Sequence, residues 1–301
     1  MISSSSALGS RRPEGPRPGP ARIGLALGGG AAHGFAYIPV LEALDELGVR
    51  PALIAGTSMG AVIGALYASG MSGAEIRDYA LGVFHSRAEF LARLWQLRPR
   101  RLSEITLGFG QYDLERALAT FLPSRLAKDF AELRIPLRAV ATDYYAGRQV
   151  VLAEGPLLPA LAASSAVPML FKPIRIGGRI MVDGGATNPV SFDLLDDADF
   201  VIAVDVVFGP TGNPERMPGS LESLFGATSL VMRSLVREKL RSGRPPEIFI
   251  RPPPPIGINV FDFSRAARIL KGSEPVKDEL KEKLNRLLSA GYPAPTRRAT
   301  G

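Results

Sequence analysis

The sequence predicts an α/β fold, with a parallel or mixed sheet covered by helices on both faces. Short apolar runs suited to buried strands alternate with stretches of helical periodicity along most of the chain. Glycine-rich turns join the first two strands to the helices after them, at 28–34 and 56–60. No internal repeat breaks this order, so a solenoid is not expected.

Residues 1–21 (MISSSSALGSRRPEGPRPGPA) are rich in Ser, Gly, Pro and Arg. Such a segment buries too little surface to offset its ordering entropy, so a disordered tail is expected. Arg11-Arg12 is followed only by the short run Ile23–Leu27, which ends in three glycines without a cleavage site, so no secretory signal is expected. Ile23–Leu27 reads as a buried strand, 28–34 as a turn, and 35–47 as a helix with Val40, Leu41, Leu44 and Leu47 on one face, closed by Gly48. A second strand is expected at 52–55, a second turn at 56–60 and a second helix at 61–69. Further strands are expected at 137–142, 149–152, 174–182, 200–207 and 247–250, and helices at 76–84, 114–121, 221–240 and 276–290. The organisation expected is one domain over 22–291, with a second disordered tail at 292–301.

The composition excludes several chemistries. With no Cys there is no disulfide scaffold or thiolate metal site, and with only His33 and His85 a His-rich metal site is not expected. The formal charge is +7, but residues 1–22 hold +3 of it, 292–301 hold +2, and the body keeps only +2. A nucleic-acid protein puts its excess on the folded surface, so no nucleic-acid partner is expected. No run of 18 apolar residues occurs, so no spanning helix is expected, and a cytoplasmic protein, soluble or peripheral at the membrane, is.

The strongest chemical signal is Gly56-Thr-Ser58-Met-Gly60 between a strand and a helix. A sharp strand-turn-helix exposes the central hydroxyl at the carboxyl edge of a sheet, with the helix amino end favouring negative charge on the acyl group. The competing reading is a glycine turn that packs a helix on the sheet. A serine nucleophile needs a base, yet His85 follows Ser58 too closely and His33 precedes it, so a Ser-His-Asp order is disfavoured. Gly28-Gly-Gly-Ala-Ala-His-Gly34 presents successive N–H groups that suit a phosphate or an oxyanion. Its glycine spacing fits no clean dinucleotide register, and a Walker lysine is missing. Met181-Val-Asp183-Gly-Gly185 ends an apolar strand in a carboxylate, or else forms an Asp-Gly hairpin turn.

These blocks together resemble the patatin-like phospholipases, in particular bacterial proteins similar to neuropathy target esterase. Residues 22–48 resemble the family's oxyanion segment, Gly56–Gly60 its nucleophile elbow, Ala162-Ala-Ser-Ser-Ala-Val-Pro-Met-Leu-Phe-Lys-Pro173 its middle block, and Asp183-Gly-Gly185 with Asn188-Pro-Val190 its Asp block. The resemblance implies a three-layer α/β/α fold with a mostly parallel sheet, and a Ser-Asp dyad of Ser58 as nucleophile and Asp183 as base. It implies hydrolysis of lipid or phospholipid esters without metal or cofactor. Gly29, Gly30 and Ala31 then supply the oxyanion N–H groups, and Gly56, Gly60, Gly184 and Gly185 shape the elbow and the Asp turn. Two positions depart from the family pattern, Ala31 where it usually has glycine and His33 where it usually has Arg or Lys. An acyltransferase using the same dyad and a non-catalytic regulatory protein are the alternatives. Residues 84–112, where aromatics interleave with arginines, suit a lid or substrate-recognition insert, and with 233–251 they suit peripheral contact with an anionic membrane.

Overall fold

The computed structural model describes residues 21–85, 113–210 and 215–289. Of the tails expected at 1–21 and 292–301 and the insert expected at 84–112, residues 1–20, 292–301 and 86–112 lie outside the described residues, whereas Ala21 is buried in the core rather than part of a loose tail, and Phe84 ends a helix. Strands β1 (Ile23–Leu27), β2 (Leu53–Thr57), β3 (Leu137–Asp143), β4 (Arg148–Leu152), β5 (Ile174–Ile176), β6 (Arg179–Asp183), β7 (Phe200–Val204) and β8 (Ile248–Ile250) form one sheet. Its order is β5-β6-β3-β2-β1-β7-β8, with β4 paired to β3 off that path. β1, β2, β7 and β8 are mutually parallel, β2 and β3 are parallel, and β4, β5 and β6 add antiparallel pairs.

The alternation along the central strands sets the layers. Ile23, Leu25 and Leu27 of β1 and Phe200, Ile202 and Val204 of β7 point into the larger core. That core lies under α1 (Tyr37–Glu46), α2 (Met59–Ala68), α3 (Gly73–Phe84), α4 (Leu114–Phe121) and α5 (Leu157–Ser164). The intervening Gly24, Ala26, Ala55 and Ala203 are small, so the second face is thin. Residues 189–198 lie close against it, and a Cβ on Gly24 would stand 3.0 Å from that of Ala198. Helix α6 (Ser220–Ser242) covers this face through Val236 and Leu240. Helices α7 (Ala266–Ser273) and α8 (Val276–Ser289) complete the first layer. The result is a mixed, mostly parallel sheet with helices on both faces.

One register detail positions the chemistry. β4 lies along β3 from Ala139 to Asp143, so β2 and β6 share the other edge of β3. β2 runs parallel to the first half and ends with Thr57 opposite Val140. β6 runs antiparallel along the second half and ends with Asp183 opposite Ala141. The carboxyl ends of β2 and β6 therefore meet head to head, bringing Ser58 and Asp183 to adjacent places on one edge.

Several expected elements are redrawn. The single strand at 174–182 is a hairpin, because Gly177 and Gly178 both adopt positive φ and turn the chain between β5 and β6. The helix expected from 35 begins at Tyr37, after a 3₁₀ turn over Ala31–Ala36. The strand expected to reach 207 stops at Val204, where the Asp205 carboxylate accepts the Val207 N–H at 2.8 Å. In place of a turn over 56–60, β2 runs through Thr57 and α2 starts at Met59, leaving Ser58 alone between them. Helices α5 and α7 are short and lay outside the expected set.

Candidate active site

Ser58 is the residue between β2 and α2, with φ 54 and ψ −124. A non-glycine residue held in such a conformation costs on the order of 1–3 kcal/mol and persists only where its surroundings enforce it. Two buried contacts do so. The Ser58 N–H donates to Ser164 Oγ at 2.9 Å, and Ser164 Oγ donates to the Val140 carbonyl at 2.6 Å. One residue earlier, Thr57 Oγ1 donates to the Asn188 carbonyl at 2.9 Å. Gly60 lets α2 approach β1, since a Cβ there would stand 2.1 Å from the Leu27 carbonyl oxygen. Ser164 falls within the middle block of the sequence, but its local pattern gave no sign that it holds the elbow.

Asp183 is buried at the end of β6. Its N–H donates to the Ala166 carbonyl, and its own carbonyl accepts from Thr142 Oγ1 at 2.9 Å. Oδ1 accepts the Gly185 N–H at 2.7 Å, while Oδ2 is buried without a hydrogen-bond partner. Burial pushes the carboxyl up to about 6, against the opposing pull of the Ser58 hydroxyl and the Gly185 N–H. The Ser58 hydroxyl thus lies near enough to favour the carboxylate, without meeting hydrogen-bond geometry at Oδ2. A Cβ on Gly184 would stand 2.1 Å from the Val140 carbonyl oxygen, so only glycine allows this turn to lie against β3. Such a carboxyl is ionised at neutral pH, yet far more basic than a solvated aspartate.

The turn after β1 lies beside the elbow, with Gly29 packed against Ser58. Buried Tyr37 donates its hydroxyl to the Gly28 carbonyl at 2.6 Å, fixing the turn. The Gly29 N–H is engaged, donating to the Pro189 carbonyl at 2.9 Å. Of the three N–H groups expected to face an oxyanion, those of Gly30 and Ala31 have no acceptor among the described residues. Ala31 has φ 46, in the left-handed region that favours glycine. Ala31→Gly is therefore expected to stabilise the fold by about 1 kcal/mol while keeping the N–H in place, read as a raised Tm in thermal unfolding.

Neither histidine contacts the Ser58–Asp183 pair. His33 is buried, its ring 5.3 Å from that of Phe208, and Nε2–H donates to the Ile258 carbonyl at 3.2 Å. Burial lowers its pKa, partly offset by that carbonyl and by Asp262. With the Ala32 N–H on the Val260 carbonyl, it ties the turn to the 258–262 loop. His85 donates Nδ1–H to the Gly82 carbonyl at the end of α3.

Met232 of α6 is a site residue that sequence reasoning missed. Its Cε lies 2.7 Å from where a Cβ on Gly185 would stand and 3.6 Å from one on Gly29, so the thioether caps the space between the two turns. Lys239, two turns further along α6, donates to Asn188 Oδ1 at 2.6 Å and the Val190 carbonyl at 2.7 Å, and pairs with Asp193. Burial lowers the Lys239 pKa against the pull of Asp193. Arg244 and Arg251 of the basic stretch 233–251 are likewise ion-paired, with Glu247 and Asp205.

A family model described as patatin-like phospholipase matches residues 25–196 of this chain, a span that contains Ser58, Ser164 and Asp183. An uncharacterized NTE family protein of Mycobacterium bovis is 36% identical over 197 residues, covering 65% of this chain and 51% of its own length. Patatin-like phospholipase domain-containing protein 6 of Homo sapiens is 32% identical over 188 residues, covering 61% of this chain and 13% of its own length. The chain thus spans about half the length, or less, of these curated relatives. Among solved structures, VipD from Legionella pneumophila aligns with a TM-score of 0.45 at 15% identity, over 88% of this chain and 68% of its own.

Proposed function

The chain belongs to the patatin-like phospholipase family, and we propose that it is a serine acyl hydrolase cleaving lipid carboxylic esters through a Ser58–Asp183 dyad and an acyl-enzyme. The observation that carries this is the pairing of a strained Ser58 with a buried Asp183 whose Oδ2 has no other partner and whose pKa is pushed up to about 6. Asp183 accepts the Ser58 proton as Oγ attacks the ester carbonyl carbon. The tetrahedral oxyanion takes hydrogen bonds from Gly30 and Ala31, with the amino end of α2 adding its dipole; one such donor lowers the barrier by about 3 kcal/mol. Collapse breaks the bond to the alcohol, which leaves with the proton from Asp183. Water then attacks the acyl-enzyme, gives its proton to Asp183, and the second collapse releases the carboxylic acid and returns the proton to Ser58. Residues 22–291 serve as one hydrolase unit in this scheme.

Incubating the protein with a phospholipid, with and without an added alcohol acceptor, tests the outcome. Free fatty acid is expected as the main product in both cases. Predominance of the new ester would establish the acyltransferase alternative, and absence of both products would leave the fold without catalysis. Met232 bears on specificity, because it occupies space that an acyl chain entering between Gly29 and Gly185 needs. Met232→Ala is expected to shift kcat/KM toward bulkier acyl chains by about tenfold, checked with a series of soluble esters of increasing chain length.

A further inference from the structure

The described residues distribute their exposed apolar surface very unevenly. Of the ten large apolar side chains that stand exposed, nine sit on segments leaving or overhanging the carboxyl edge of the parallel strands. The tenth, Val151, lies within β4. This is the edge where Ser58 and Asp183 meet, and the opposite edge exposes no large apolar side chain among the described residues. Scattered exposed apolar residues are ordinary, but their segregation to one edge of a sheet is not.

Two overhanging structures carry most of them. Helix α6 is anchored by Val236 in the second core and by Lys239 on the Asp loop, and Met232 brings it level with the Ser58–Asp183 pair. From Met232 its amino end continues through twelve more residues, about 18 Å at 1.5 Å per residue, with Leu221, Leu224, Leu230 and Val231 exposed. On the other side, the β3–β4 and β5–β6 hairpins run past the end of β2. β3 runs three positions beyond Val140, roughly 10 Å at the rise of a strand, and the turn that follows it carries Tyr144 and Tyr145, the latter 83% exposed.

Charge accompanies the hairpins. Arg148 and Arg175 form no ion pair among the described residues, and Arg179 reaches Asp143 only at 3.8 Å. A cavity of about 830 Å³ opens between the hairpins, lined by Tyr145, Pro173, Arg175 and Arg179, with Asp143 as its one acid. An apolar helix end, a tyrosine pair and the hairpin arginines thus stand on separate elements at the edge where Ser58 and Asp183 meet. That combination fits a surface with an apolar interior, an interfacial layer and negative headgroups.

We infer that this edge docks on an anionic phospholipid bilayer, with the amino half of α6 entering the acyl boundary and the hairpins setting Tyr144 and Tyr145 among headgroups and Arg148, Arg175 and Arg179 against lipid phosphates. The inference deepens the lipid-ester reading, on which it rests for the site's substrate class. Docking in this orientation presents the dyad to an ester without the lipid leaving the membrane. No helix among the described residues is long and apolar enough to cross a bilayer.

The experiment is vesicle co-sedimentation of the full chain carrying Ser58→Ala, so that binding is read without turnover. Phosphatidylcholine vesicles containing phosphatidylglycerol are expected to bind the protein about tenfold or more tightly than phosphatidylcholine alone, and salt is expected to weaken that binding. Leu224→Asp with Val231→Asp, and separately Tyr145→Ala with Arg175→Ala, are each expected to weaken it by about tenfold. The same substitutions on the Ser58 background are expected to leave hydrolysis of a soluble short-chain ester unchanged, which shows that the fold survives. Failure of the Ser58→Ala protein to bind vesicles, equal binding to both compositions, or variants that bind as well as their parent would overturn the inference. So would a lipid-free dimer that the α6 substitutions dissociate, since the edge would then face a second copy. Vesicle binding lost in the variants but without any ester turnover would sink the hydrolase reading alone.

Discussion

Ser58→Ala is expected to lower kcat/KM for a soluble ester by about ten-thousand-fold or more, while the protein folds and melts as before. The effect is large because nucleophile and base act as one unit, so removing either leaves only binding and oxyanion stabilisation. The alanine remains in the same left-handed backbone, held by Ser164 and Thr57, so its loss of activity reports on the hydroxyl alone. A steady-state assay beside a thermal melt checks both halves. A variant that melts normally and turns over ester at the parent rate would remove Ser58 from the chemistry.

Asp183→Asn carries the second large effect, with opposite consequences for activity and stability. Turnover is expected to fall by about ten-thousand-fold, because the amide cannot take the Ser58 proton. In the parent, the base must be ionised, so kcat/KM is expected to rise with pH up to about 6, where Asp183 loses its proton, and to level off above it. For stability the sign reverses. Between the unfolded carboxyl near 4 and the folded one near 6, the native state holds more protons, so stability falls as pH rises through that window. The buried charge then costs the folded state about 3 kcal/mol at neutral pH. Asp183→Asn is therefore expected to melt higher than the parent at pH 7, with the difference shrinking below pH 4. Denaturant unfolding at the two pH values measures it.

Much of this was legible in local sequence, and the reasons it stopped are physical. Ile23–Leu27 and the strand before Ser58 are dense apolar runs, and each is followed by glycines that the close approach of a helix requires, as at Gly60. The Asp183 block could be read as a strand ending in a carboxylate and a tight turn. What brings Asp183 to Ser58 is register: β4 takes one edge of β3 and leaves β2 and β6 to meet on the other. Periodicity contains no such information. The hairpin inside 174–182 was signalled by Gly177-Gly178, but the apolar pattern on both sides concealed it. Ser164 and Met232 act through tertiary contacts from elements distant in sequence, and nothing in their immediate neighbours distinguishes them from an ordinary helix-end serine and a helix methionine. The basic stretch at 233–251 suggested a membrane face, yet Lys239, Arg244 and Arg251 within it are ion-paired, and the exposed tyrosines lie on the hairpins beside Arg148 and Arg175.

The central claim, an activated Ser58 with Asp183 as its base, is tested most directly by covalent labelling with a fluorophosphonate, followed by peptide mapping of the intact chain. The parent is expected to gain one adduct on the peptide containing Ser58, at a rate that rises with pH up to about 6. Asp183→Asn is expected to label far more slowly, and Ser58→Ala not at all. An adduct on another residue, or undiminished labelling at Ser58 in Asp183→Asn, would contradict the dyad.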